Sequence, residues 1–151
     1  MPPPKKIVLI LHNIRSRFNV GSIFRTSDAA GISKIYLTGI TPAPPHPKID
    51  KVALGATEFV PWEHNWRIDL VIKKLKQEGY EIAALEQSKK SIAYNKFKTK
   101  NKTAIILGAE VKGISKTILK KCDKIIEIPM HGQKESLNVS VACGVVVFRL
   151  I

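Results

Sequence analysis

The stretch Ala104-Ile105-Ile106-Leu107-Gly108-Ala109-Glu110-Val111-Lys112-Gly113-Ile114-Ser115 runs from four apolar residues into a loop punctuated by two glycines and ends on a serine. A short apolar run without alternation is the signature of a strand covered on both faces. Ser115 is placed to accept an orphaned amide of a following helical turn, with Lys116, Lys120 and Lys121 as its solvated face. Strand, glycine loop and helix form the repeating unit of an α/β domain. The same unit recurs outward from this point. Ile7 to Leu11, Ile35 to Leu37, Glu58 to Val60, Ile82 to Leu85 and Ile125 to Ile128 read as further strands. Val20 to Ala30 ended by Gly31, Ile68 to Gln77 ended by Gly79, Ser115 to Lys121, and Leu137 to Ile151 read as helices. The alternation predicts an α/β fold with a mainly parallel sheet flanked by helices.

At 151 residues the chain has room for one domain, so residues 1-151 are expected to form a single unit. The 44% hydrophobic and 25% charged composition is that of an ordinary globular domain, which excludes disordered, fibrous and membrane-embedded classes. Twenty-five Lys and Arg against 12 Asp and Glu leave a net charge of +13, which calls for a polyanionic partner. Nucleic acid is the first candidate and an anionic membrane surface the second. The membrane reading lacks a cationic amphipathic helix or a lipidation signal. Cys122 and Cys143 are too far apart for a disulfide framework or a zinc knuckle and read as small core residues, which fits a reducing, cytoplasmic setting. The run Ile7 to Leu11 is too short for a signal sequence or a membrane span. His12, His46, His64 and His131 form no triad with a serine or cysteine and no standard zinc pattern, so no metal is expected.

Three segments carry candidate chemistry. In Asn19-Val20-Gly21-Ser22-Ile23-Phe24-Arg25, Asn19 and Gly21 are read as shaping a strand-to-helix turn, from which Arg25 projects. A solvated arginine and a phosphate contact are equally good readings of Arg25 alone, and Arg15 and Arg17 just upstream favour the anion. The Gly108 to Ser115 loop lies at the carboxyl end of a buried strand, where ligands bind in open α/β sheets. It contains neither G-x-G-x-x-G nor G-x-x-x-x-G-K-[ST], so dinucleotide and nucleoside-triphosphate chemistry lose their simplest support. Alone, Glu110 would be a surface carboxylate. The third segment, Ile128 to Ala142, is a strand end, a polar loop and a helix start, with Ser136 as the expected cap. Asn138, at the head of so apolar a helix, needs a partner if buried, because an unpaired polar group costs about 1–3 kcal/mol. That helix is apolar nearly all round, which predicts burial on two sides, one of them against another subunit. The run Lys89, Lys90, Lys96, Lys98, Lys100 and Lys102 is interleaved by Tyr94 and Phe97, a pattern suited to tracking a nucleic-acid backbone.

In this order the segments resemble the SpoU, or TrmH-like, family of SPOUT RNA ribose 2′-O-methyltransferases. The resemblance rests on Asn19, Gly21 and Arg25; on Gly108, Glu110 and Gly113 as a Gly-x-Glu-x-x-Gly loop; and on Ser136-Leu137-Asn138-Val139-Ser140. Lys51 to Ala56, with Pro61-Trp62-Glu63 beyond, is similar to the connector of tRNA-type members. The resemblance implies a SPOUT domain with a deep C-terminal trefoil knot, an exception to the rule against threaded loops. It implies S-adenosylmethionine held by Leu85, Glu86, Leu107, Gly108, Glu110, Gly113, Ile128, Met130, Ser136, Leu137 and Asn138. Arg25 would act in catalysis with Asn19, Glu110, Ser136 and Asn138 around it, and RNA would meet Arg15, Arg17, Arg25, Lys51 and Lys112. A homodimer is implied, in which Arg25 of one subunit faces the cofactor held by the other, as is an RNA substrate, tRNA ahead of rRNA. The extra RNA-binding domain of many members is not expected here. The alternative is a non-catalytic basic RNA-binding module, which would not bind S-adenosylmethionine.

Overall fold

A computed structural model describes residues 3–151. The chain forms β1 (Lys6–His12), α1 (Arg17–Ala30), β2 (Lys34–Thr38), α2 (Pro47–Ala53), α3 (Ala56–Phe59), β3 (Trp62–Asn65), α4 (Ile68–Gln77), β4 (Glu81–Leu85), β5 (Ile92–Ala93), a 3-10 turn (Tyr94–Lys96), β6 (Lys102–Leu107), α5 (Lys116–Leu119), β7 (Lys124–Glu127) and α6 (Val139–Leu150). The seven strands lie in the order β3-β2-β1-β6-β4-β7-β5, and every neighbouring pair is parallel. The expected α/β architecture with a parallel sheet is therefore present. Strand β6 inserts between β1 and β4, a crossover order compatible with the knot that the family resemblance implies.

Strand alternation sorts the core into two layers. Ile7, Leu9 and Leu11 of β1 face α1, α2 and α6 in one cluster; Val8 and Ile10 face α4 and Ile114 in the other. Helix α4 places Ile68, Val71, Ile72 and Leu75 on its buried stripe, and α1 does the same with Val20, Ile23, Phe24 and Ser27. Phe24 is completely buried, a placement that contributes about 1.5–3 kcal/mol. Cys143 belongs to the first cluster and Cys122 packs beside the second; burial raises their thiols to about 12 and about 11, so neither is a thiolate at neutral pH.

Several local expectations are corrected. Glu58 to Val60 is not a strand: Gly55 opens the short helix α3, Phe59 turns outward, and the strand starts after Pro61 at Trp62. A three-residue apolar run carries no period that separates helix from strand. Asn19 and Gly21 do not shape a turn, because Ser16 caps α1 and both lie inside it. The constraint on Gly21 is packing: a Cβ there would stand 2.5 Å from the Ile49 carbonyl oxygen, so its absence lets α2 approach α1. Ser115 caps α5 as expected, accepting the Ile118 amide at 3.3 Å. Ser136 does not cap α6; Asn138 does. Phe97, read as a stacking group, is only 7% exposed and belongs to the core, with Tyr94 packed against it.

Candidate active site

In a parallel sheet all strands deliver their carboxyl ends to one rim, and loops there converge. A cavity of about 830 Å³ opens where β4, β6 and β7 end. Its walls come from three segments: Leu85 to Lys90 after β4, Leu107 to Ile114 after β6, and Ile128, Met130 and residues 135–137 on the way into α6.

The glycine loop after β6 is held from both sides. Gly113 donates its amide to the Ala109 carbonyl at 2.9 Å, and its φ of +64° favours glycine. The Glu86 carboxylate accepts the Ile114 amide at 2.7 Å and the Gln87 amide at 3.1 Å. A Cβ on Gly113 would run into that carboxylate, and one on Gly108 would stand 2.5 Å from the Ile114 side chain. Gln87 crosses the cavity mouth to donate to the Glu135 carbonyl at 2.6 Å, tying the first wall to the third.

A second polar chain joins the three sequence motifs. Asn19, buried in α1, donates its side-chain amide to the Glu110 carboxylate. Asn138 donates to the Asn19 carbonyl oxygen at 3.2 Å. The Asn138 oxygen in turn accepts the Ser140 amide at 2.9 Å, the Ser140 hydroxyl at 2.6 Å and the Val141 amide at 3.4 Å. Asn138 itself is exposed, so its partners are the helix start and Asn19 and not a buried vacancy. Asn138 thus caps α6 and ties its start to α1, while Asn19 ties α1 to the glycine loop.

Leu85, Glu86, Leu107, Gly108, Glu110, Gly113, Ile128, Met130, Ser136 and Leu137 line the cavity, as does Lys112; Asn138 stands behind the wall. Arg15, Arg17, Arg25 and Lys51 are exposed and lie outside the cavity lining of their own chain. Lys89 and Lys90, read in the sequence as part of a basic run that tracks a nucleic-acid backbone, and Lys116, read as part of a solvated helix face, also line it. Their signal was position, since each lies in or directly after a loop at a strand's carboxyl end. Among the described residues no cluster of His, Cys, Asp and Glu could hold a metal ion. No helix among them is long and apolar enough to cross a membrane.

The pattern of the SpoU rRNA Methylase family matches residues 6–148, and the chain belongs to that family. It is 32% identical over 145 residues to the 23S rRNA (guanosine-2′-O-)-methyltransferase RlmB of Vibrio cholerae, covering 96% of this chain and 58% of the relative. It is 31% identical to the tRNA (guanosine(18)-2′-O)-methyltransferase of Aquifex aeolicus, covering 96% of this chain and 68% of that protein. The crystal structure of the AdoMet-bound rRNA methyltransferase from Sinorhizobium meliloti superposes with a TM-score of 0.90 at 25% identity, covering 98% of this chain and 56% of that one. The fold is thus that of the SPOUT methyltransferases, and the chain spans about 58% of the length of the first curated relatives it matches.

Proposed function

We propose that this chain transfers a methyl group from S-adenosylmethionine to a ribose 2′-hydroxyl of a structured RNA, acting as a homodimer. The observation that carries the reading is the meeting of three sequence-distant motifs, through Asn19, Glu110 and Asn138, behind a single cavity at the sheet's carboxyl rim. The cavity suits the donor: its volume is that of a small-molecule site, Leu85, Leu107, Ile128 and Leu137 offer apolar walls to a purine, and the glycine loop leaves backbone groups open to polar contact. Bound there, S-adenosylmethionine supplies an electrophilic methyl on a sulfonium.

The chain's own residues orient and stabilise. Arg25 carries a permanently charged guanidinium and is no proton acceptor. Its role is to hold the phosphate next to the target ribose and to stabilise charge developing on the 2′-oxygen, with the proton leaving to phosphate or water. Arg25 makes no ion pair among the described residues and does not line its own chain's cavity, which supports its delivery to the cavity of a second copy. The exposed side chains Val141, Val145 and Phe148 on α6 offer the contact surface for that copy. Glu110 and Asn138, linked through Asn19, act as positioning residues for the loops that hold the donor.

The substrate is proposed to be tRNA ahead of rRNA, on the similarity of the Lys51 to Glu63 stretch to tRNA-type members, and the setting cytoplasmic. Incubation with labelled S-adenosylmethionine and total small RNA, followed by nucleoside analysis, tests the reading. A 2′-O-methylated nucleoside is the expected product. RNA binding without uptake of the donor would instead establish the non-catalytic module.

A further inference from the structure

The cavity occupies one half of the carboxyl rim, over β6, β4 and β7. The other half, over β3, β2 and β1, carries a separate cluster that the proposed chemistry leaves unused. The register places Asn65, Thr38 and His12 in one row and pairs Leu11 with Leu107 in the row below. The residues that follow, Trp66, Gly39, Asn13 and the start of the glycine loop, therefore share one rim. Trp66 is 69% exposed, an unusual state for the most costly side chain to leave in water. Its ring is nonetheless held: His64 meets it edge-on, with centroids 5.0 Å apart and planes at 79°. His64 is itself tied to the Gly39 carbonyl oxygen at 3.2 Å, and Ile40, next on that turn, is also exposed.

The neighbouring turn is equally fixed. Asn13, at a φ of 55°, accepts the Ile40 amide at 3.0 Å. It leads into the exposed Arg15 and Arg17. An exposed indole braced edge-on by His64, on the same rim as the turn that leads into Arg15 and Arg17 and on a chain of net charge +13, has the makings of a base-stacking platform with phosphate-binding groups along the rim. Pre-organisation matters here, because a braced ring loses little freedom on binding.

We propose that Trp66 stacks on an unpaired base of the RNA, a few nucleotides from the ribose that receives the methyl group. Three strand spacings of about 4.8 Å separate β3 from β6, roughly 14 Å in all. About four nucleotides stacked at ~3.4 Å cover that span, and fewer do so when extended. This inference rests on the RNA reading above and adds a single-stranded element of the substrate to it. It also relocates aromatic recognition from Tyr94 and Phe97, which serve the core.

The chain has two tryptophans, and Trp62 packs partly against the core, so Trp62→Phe leaves Trp66 as the sole tryptophan, which is excited selectively over the three tyrosines. Adding a mixed-sequence single-stranded RNA, and separately unfractionated tRNA, quenches that emission. Trp66→Ala, compared at equal thermal midpoint, lowers affinity for both by about 5- to 150-fold, the loss expected for one stacked base. Trp66→Phe restores most of it, and S-adenosylmethionine binding is unchanged in every variant. Trp66→Ala binding either RNA as tightly as the parent, or unquenched Trp66 at RNA saturation, overturns the platform. If the same parent protein still methylates RNA, the proposed function survives that result; a parent that binds no RNA ends both.

Discussion

Asn138 shows how much one side chain can settle. Its oxygen serves three donors at the start of α6 while its amide reaches Asn19, so Asn138→Ala removes a cap and a link between motifs together. Loss of an asparagine cap costs about 0.5–2 kcal/mol, and the thermal midpoint should fall accordingly. Because Ser136 and Leu137, just ahead of it, line the cavity, affinity for S-adenosylmethionine should weaken too. An unchanged dissociation constant by calorimetry would remove Asn138 from the positioning role. Arg25→Ala should behave oppositely: methyl transfer falls by at least the ~10²-fold typical of a lost charge-stabilising group, while the donor binds as before. Wild-type turnover in that variant would refute the assignment. The sequence already singled out Asn138 as an amide in need of partners, yet it put the cap on Ser136. Serine and asparagine are equivalent cap formers, and only the path of the loop before α6 decides between them.

Elements show where periodicity suffices and where it fails. Five of the apolar runs are strands, because a strand buried on both faces advertises itself, whereas α2 and α3 were invisible and Glu58 to Val60 was misassigned. Pro47 and His46 start α2 and Gly55 starts α3, local signals that a Pro-rich stretch obscures. Of the burial on two sides expected for α6, one side is present, through Val139, Cys143, Val146, Val147 and Leu150, while Val141, Val145 and Phe148 face out and are the side that the proposed second copy would cover. Phe148→Asp should therefore convert the proposed homodimer to monomer in light scattering and abolish turnover, with the monomer still folded; an unaltered dimer places the interface elsewhere. On β1, burial holds the His12 imidazole below its ordinary value of 6.5. The network agrees, since Asn13 donates to Nε2 and Nδ1 is left to donate to Thr38 Oγ1, an arrangement that requires the neutral ring. With the folded value depressed, stability is complete above about pH 6.5. It declines below that as the unfolded chain takes up the proton first. Urea midpoints between pH 8 and pH 5 should fall less steeply in His12→Gln, and parallel curves would rule the linkage out.

At the scale of the whole molecule, charge and geometry divide the labour. Four cationic side chains, Lys34, Arg67, Lys74 and Lys100, are ion-paired among the described residues, which leaves most of the 25 Lys and Arg available to a polyanion. Composition revealed that much, but not which surface faces the RNA, because a lysine on α4 and a lysine at the cavity mouth are identical in sequence. Lys89, Lys90, Lys112 and Lys116 line the cavity, and Arg15 and Arg17 are exposed after β1 on the same rim, so positive charge extends along the rim from the proposed donor site. Binding that displaces counterions from phosphates weakens linearly in log affinity against log salt. If six or more phosphates are engaged, raising salt from about 50 to about 200 mM should lower RNA affinity by about 10³-fold or more. The donor carries no phosphate, so its binding should show little of this counterion-release dependence. Parallel titrations with tRNA and with S-adenosylmethionine across that range should thus separate sharply, and a salt-insensitive RNA affinity would mean that the net charge of +13 serves something other than the phosphate backbone.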